Sequence, residues 1–118
     1  MEDDEGVLDL ALAYREHLRL RERVLCRQAS CHPAWSLLIE LLIAQLRKET
    51  RSVGTLTRAA GIRSTTALRW IDWLQGRRLI ERHPDPRNRL RVFIGLSAEG
   101  RKIVRAMLVD VVASFDKL

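Results

Sequence analysis

Gly61 separates two short stretches that both repeat with helical spacing, and this junction restricts the fold more than any other feature of the chain. Before it, Val53, Leu56, Ala59 and Ala60 mark one face of a helix over 53–60. Ser52 stands ahead of them, and serine caps a helix by accepting from an otherwise unpaired backbone amide. After Gly61, Ile62 and Arg63 leave room only for a tight turn. Ser64 is the next N-cap candidate, and Ala67, Trp70, Ile71 and Leu74 recur at i, i+3, i+4 and i+7 over 65–75. Glycine tolerates the left-handed backbone that ends one helix sharply enough for another to follow at an angle. Gly76 offers a stop for the second helix.

The period then changes. Leu79-Ile80-Glu81-Arg82 reads as a short strand, and 83–89 (His83-Pro84-Asp85-Pro86-Arg87-Asn88-Arg89) is rich in turn formers. In 90–96, Val92, Ile94 and Leu96 alternate with Arg91, Phe93 and Gly95, the pattern of a second strand. Helices flank this unit. Upstream, 7–28 carries Leu8, Ala11, Leu12, Leu18 and Leu25 at near-helical spacing. His32-Pro33 breaks it, because proline disfavours helix in the residue before it, and Pro33 suits the start of a helix over 34–48 that is apolar on nearly every side. Downstream, 98–115 carries Ile103, Val104, Met107, Leu108, Val111, Val112 and Phe115. The expected fold is mainly α with a small two-stranded β wing: a winged helix-turn-helix over 52–97 with flanking N- and C-terminal dimerisation helices. A single domain spans 7–118, with its core in 34–97, terminal helices 7–29 and 98–115, and an acidic, disordered tail at 1–6.

Charge indicates the partner. The chain of 118 residues has a formal net charge of +6, although its first nine residues hold five carboxylates and no cation. Between Arg63 and Arg91 eight arginines face Asp72, Glu81 and Asp85 alone. Such a surface suits a polyanion, and arginine suits bidentate contact with phosphate and guanine. A helix that buries Ala67, Trp70, Ile71 and Leu74 turns Arg63, Ser64, Thr65, Thr66 and Arg69 outward, and the DNA major groove accommodates one such helix. Leu68 fits either a thymine methyl or the core. Arg87, Arg89 and Arg91 alternate around the expected hairpin tip, where they would meet phosphate or the minor groove. The expected function is sequence-specific binding of double-stranded DNA in transcription regulation. The alternative is a winged helix used as a protein-interaction module with an acidic partner.

Residues 52–100 resemble the winged helix-turn-helix of the multiple antibiotic resistance regulator (MarR) family of bacterial transcription factors. The resemblance rests on Thr66-Ala67-Leu68-Arg69-Trp70-Ile71-Asp72-Trp73-Leu74, Leu79-Ile80-Glu81-Arg82, Asp85-Pro86-Arg87-Asn88-Arg89 and Val92-Phe93-Ile94-Gly95-Leu96-Ser97-Ala98-Glu99-Gly100. It implies a recognition helix carrying Thr66 and Arg69, a basic wing tip, and a homodimer built from the terminal helices. It also implies a small-molecule effector in a pocket between those helices and the DNA-binding lobe, near Trp35 and Tyr14. Three positions depart from the family pattern. Arg78 replaces a glycine, whose work Gly76 is expected to do; Asn88 replaces an aspartate; and Leu90 replaces a second wing arginine. Either Arg89 or Arg91 is then the groove-entering residue.

Nothing in the chain suggests catalysis. His17, His32 and His83 fall in different elements, and no phosphate-cradling glycine loop or metal-ligand spacing occurs, so neither cofactor nor metal is expected. Cys26 and Cys31 beside His32 fall short of a four-ligand zinc site and read as ordinary thiols or a redox-sensing pair. The longest apolar stretch, 35–44, is broken by Glu40 and is too short to cross a membrane. The acidic start lacks the basic and apolar segments of a signal peptide, so a cytoplasmic protein is expected.

Overall fold

The computed structural model describes residues 4–24 and 33–115. In chain order the elements are α1 (Asp4–Val24), α2 (Pro33–Leu46), β1 (Arg51–Ser52), α3 (Val53–Ala60), α4 (Ser64–Gly76), β2 (Ile80–Asp85), β3 (Asn88–Leu96) and α5 (Ala98–Phe115). Leu25, Cys26, Cys31 and His32 lie outside the described residues.

Helix α2 is the centre of the molecule. It packs against α1, α3, α4, α5 and β3. That is why a helix apolar on nearly all sides is stable here: Leu37, Leu42 and Ile43 are fully buried, and Leu38, Ile39 and Leu41 nearly so. Glu40 is buried among them, where an unpaired carboxylate would be costly; Arg15 of α1 pairs with it at 3.3 Å. The capping residues of α3 act as their types predict. Ser52 accepts from the Thr55 amide, Thr55 Oγ1 accepts from the Ser52 amide, and Gly61 closes the helix at φ 68°.

Three residues that the sequence assigns to the acidic tail are helical. Asp4, Glu5 and Gly6 form the first turn of α1. Two carboxylates there complement the positive end of the helix dipole, and Asp4 accepts from Arg105 of α5 at 2.7 Å. The Arg105 guanidinium holds the Asp4 carboxyl below its ordinary pKa. The buried stripe of α1 also starts earlier, through Val7, Ala11 and Tyr14, which leaves Leu8 and Leu12 at its flanks.

The sheet gains a third strand. Its order is β1-β3-β2, with Arg51 opposite Ile94 and Ser52 opposite Phe93. Strand β2 runs on through His83, Pro84 and Asp85, which the sequence assigns to a loop. It lies at the sheet edge, the position where a strand accepts proline without losing a ladder bond. The hairpin turn is therefore only Pro86-Arg87, and Asp85 Oδ1 accepts from the Arg87 amide at 2.8 Å to hold it.

Between α4 and β2 the chain turns at Arg78, which adopts φ 62°. Contrary to the expectation from sequence, Gly76 is still helical and does not replace the missing glycine; arginine itself takes the left-handed backbone. Two contacts hold this turn against α5. The Ser97 hydroxyl donates to the Arg78 carbonyl at 2.7 Å, and the Ser97 amide donates to the Leu79 carbonyl at 3.0 Å. No helix among the described residues is long and apolar enough to cross a membrane.

Candidate nucleic-acid interface

Helix α4 packs on the core through Ala67, Ile71 and Leu74, all essentially inaccessible to solvent. The opposite face presents Thr65 and Arg69 one turn apart, with Leu68, Asp72 and Trp73 beside them. At the start of the helix Arg63, not Ser64, is the N-cap: it is extended (φ −62°, ψ 141°), and its carbonyl accepts the first helical bond from Ala67 at 2.8 Å. Ser64 is then the first helical residue, and no side chain caps the exposed amides of this turn. Unpaired N-terminal amides and the positive end of the dipole favour a phosphate there. Arg63, Ser64, Thr65 and Arg69 are exposed and Thr66 is half-buried.

Thr66, Arg69, Trp70 and Trp73 line an open notch of about 430 Å³ on one flank of α4. The two indoles meet edge to face, with centroids 5.6 Å apart, and the Arg77 guanidinium lies 4.8 Å from the centre of the Trp73 ring. Trp73 falls outside the apolar spacing of its helix, and that mismatch was the available signal that it faces solvent. Leu68 is also exposed on the outer face, which removes it from the core.

Arg82 on β2 has a role that sequence reasoning missed. Its guanidinium donates to Asp72 Oδ1 and to Gln75 Oε1, each at 2.7 Å. This bridge joins β2 to the exposed side of α4 and pairs the Arg82 charge with Asp72. By contrast, Arg63, Arg69, Arg87 and Arg89 have no carboxylate partner among the described residues.

The wing arginines are all exposed but occupy different places. Arg87 is in the turn itself; Arg89 and Arg91, expected at the tip and beyond, belong to β3. The ladder pairs Asp85 with Asn88 and Pro84 with Val92, so Arg89, Leu90 and Arg91 bulge out opposite the step from Pro84 to Asp85. Asn88 Oδ1 accepts from the Leu90 amide at 3.0 Å, and the Arg91 guanidinium lies 5.4 Å from the centre of the Phe93 ring. The candidate residues thus form two clusters, one on the first turns of α4 and one on the wing hairpin, with Arg82 as the strut between their elements. Tyr14 and Trp35 meet edge to face at 6.0 Å, and Trp35 Nε1 donates to the Tyr14 hydroxyl at 2.8 Å. Among the described residues no cluster of His, Cys, Asp or Glu could hold a metal.

These elements, a tri-helical core with a strand hairpin after the third helix and long helices at both ends, define a winged helix-turn-helix fold. Solved structures of MarR-family regulators share the fold at low sequence identity. The MepR–DNA complex of Staphylococcus aureus superposes with a TM-score of 0.60 at 18% identity, over 90% of this chain and 82% of that one. The PcaV transcriptional regulator of Streptomyces coelicolor, in complex with its natural ligand, gives 0.60 at 19% identity, over 90% and 71%. BpsR of Bordetella bronchiseptica, whose DNA binding is regulated by 6-hydroxynicotinic acid, gives 0.56 at 21%, over 89% and 78%. No family model matches the sequence, and neither does any curated protein.

Proposed function

We propose that this chain is a sequence-specific, double-stranded DNA-binding regulator of transcription, with α4 in the major groove and the wing on flanking backbone or minor groove. The observation that carries this reading is the outward face of α4. It offers Thr65 and Arg69 beside an uncapped helix start, on a fold shared with a protein solved on DNA. Hydroxyls and the helix start suit phosphates, while Arg69 suits a guanine edge. Arg87, Arg89 and Arg91 supply the second, less sequence-dependent contact.

The working unit in this reading is a homodimer. On α5, Val104 and Leu108 face the chain's own core, whereas Ile103 and Met107, one turn apart, remain exposed. A twofold pair of recognition helices meets successive major grooves of a palindrome. The ligand-bound PcaV and the 6-hydroxynicotinic acid-regulated BpsR support control by a small-molecule effector.

The test is fluorescence anisotropy on duplexes enriched from a random pool, repeated across a salt series. A DNA regulator enriches one motif, and its affinity falls linearly in log–log form with salt. Failure to enrich any duplex would refute the reading and favour an acidic protein partner for the same face.

A further inference from the structure

Leu90 is 95% exposed, whereas the other exposed large apolar side chains lie between 37% and 46%. A leucine so fully in water has its whole side chain available for burial, and its setting is specific. It stands at the middle of the three-residue bulge in β3, with Arg89 and Arg91 on either side and Arg87 in the adjoining turn. The bulge is braced from within: Asn88 holds the Leu90 amide, Asp85 holds the Arg87 amide, and Arg91 rests over Phe93. The hairpin therefore presents one apolar side chain between two arginines of the chain, with a third in the turn.

The geometry points to Leu90 as a wedge that enters the minor groove and partly unstacks one base step, bending the duplex away from the wing. The occupant is DNA and not an apolar protein surface, because the residues flanking Leu90 in the chain are arginines and Asp85, at the end of β2, is buried and turned to the Arg87 amide. Arginines favour a narrow, strongly negative minor groove, and leucine is among the side chains that insert between bases there. The cost of unstacking falls at flexible pyrimidine–purine steps, so a TA or CA step beneath the wing is the expected target. Burial of the leucine offsets that cost and adds specificity at a position without base hydrogen bonds.

This inference rests on the DNA-binding reading, and one experiment separates the two. The full chain is bound to duplexes enriched from a random 30-base-pair pool, with 2-aminopurine placed at each step in turn. The expected result is a fluorescence rise at one step outside the α4 contact, lost in Leu90→Ala and kept in Leu90→Phe. Affinity falls about tenfold in Leu90→Ala, with an unchanged salt slope because no phosphate contact is removed. Arg89→Ala instead lowers the slope by about one unit. Tight binding without any unstacked step, or an equal signal in Leu90→Ala, overturns the wedge and leaves DNA binding intact. A changed oligomeric state in Leu90→Ala with an unaltered signal also overturns it, since Leu90 would then serve a protein contact. Failure to enrich any duplex refutes DNA binding itself, and the wedge with it.

Discussion

Replacing Gly100 by alanine tests the joint on which the wing and α5 both depend. Gly100 is in the first turn of α5, and its amide donates to Ser97 Oγ at 2.8 Å. A Cβ added there would overlap the Leu79 carbonyl oxygen and lie 2.9 Å from the carbonyl carbon. Both atoms are backbone, so no flexible side chain can yield. The carbonyl is also held, because it accepts from the Ser97 amide at 3.0 Å. Relief requires α5 and the turn to part by on the order of an ångström, an overpacking cost of about 1–3 kcal/mol. The stretched Ser97–Leu79 bond adds about 1 kcal/mol, and the better helix propensity of alanine returns about as much. The net loss is about 2 kcal/mol, which for a domain of this size lowers Tm by about 8 °C. Thermal and urea unfolding followed by far-UV circular dichroism measure it, with the urea m-value unchanged. Gly54→Ala is the internal control: nothing lies within 4 Å of its added Cβ, and it should hold or raise Tm. If Gly100→Ala melts within a degree or two of the parent, α5 does not seat against the Leu79 turn as described.

Three further outcomes are expected. Arg69→Ala should cost about 1–3 kcal/mol of binding to the enriched duplex; unchanged anisotropy would remove Arg69 from the recognition surface. Arg78→Gly should raise stability by about 0.5–1 kcal/mol. The left-handed backbone at φ 62° costs a side chain-bearing residue about 1–2 kcal/mol, and only part of that is lost to the greater freedom of unfolded glycine. A lower Tm would mean that the arginine side chain stabilises the turn more than its backbone strains it. Met107→Glu puts a charge on the exposed Ile103/Met107 face while Val104 and Leu108 stay in the core, so sedimentation should show monomers of native circular dichroism. A wild type that sediments as a monomer would end the dimer reading.

The parts of the fold that local chemistry decides were legible in the sequence. Ser52 and Gly61 carry their capping roles in their residue types, and Ala67, Ile71 and Leu74 declare the inner face of α4 by spacing alone. Features decided at a distance were not. Strand β1 is two residues long and has no period of its own; it exists because β3 offers an open edge beside it. Pro84 signals a turn locally, yet the edge position of β2 lets the strand continue through it. Asp4 looks like part of an acidic tail until Arg105, far along the chain, closes on it.

The candidate site shows the same division, and there it changes the electrostatic argument. Counting arginines from 63 to 91 treats them as equivalent, but the fold gives them different work. Arg82 is bound to Asp72 and Gln75 as a strut, Arg78 takes a strained turn held by Ser97, and Arg77 covers Trp73. The cations left for a polyanion are Arg63 and Arg69 at the start of α4, and Arg87 and Arg89 on the wing, with Arg91 beside them over Phe93. On the proposed reading, substituting Arg82 would mislead an alanine scan, since it unties β2 from α4 and leaves Asp72 unpaired on the helix proposed to enter the groove. The two effects part in the salt dependence. On the proposed reading, loss of Arg69 or Arg89 removes a DNA contact, whereas loss of Arg82 unties β2 from α4. Sequence patterning treats these arginines as one set; the hydrogen bonds of Arg82 and the bulge around Leu90 set them apart from one another.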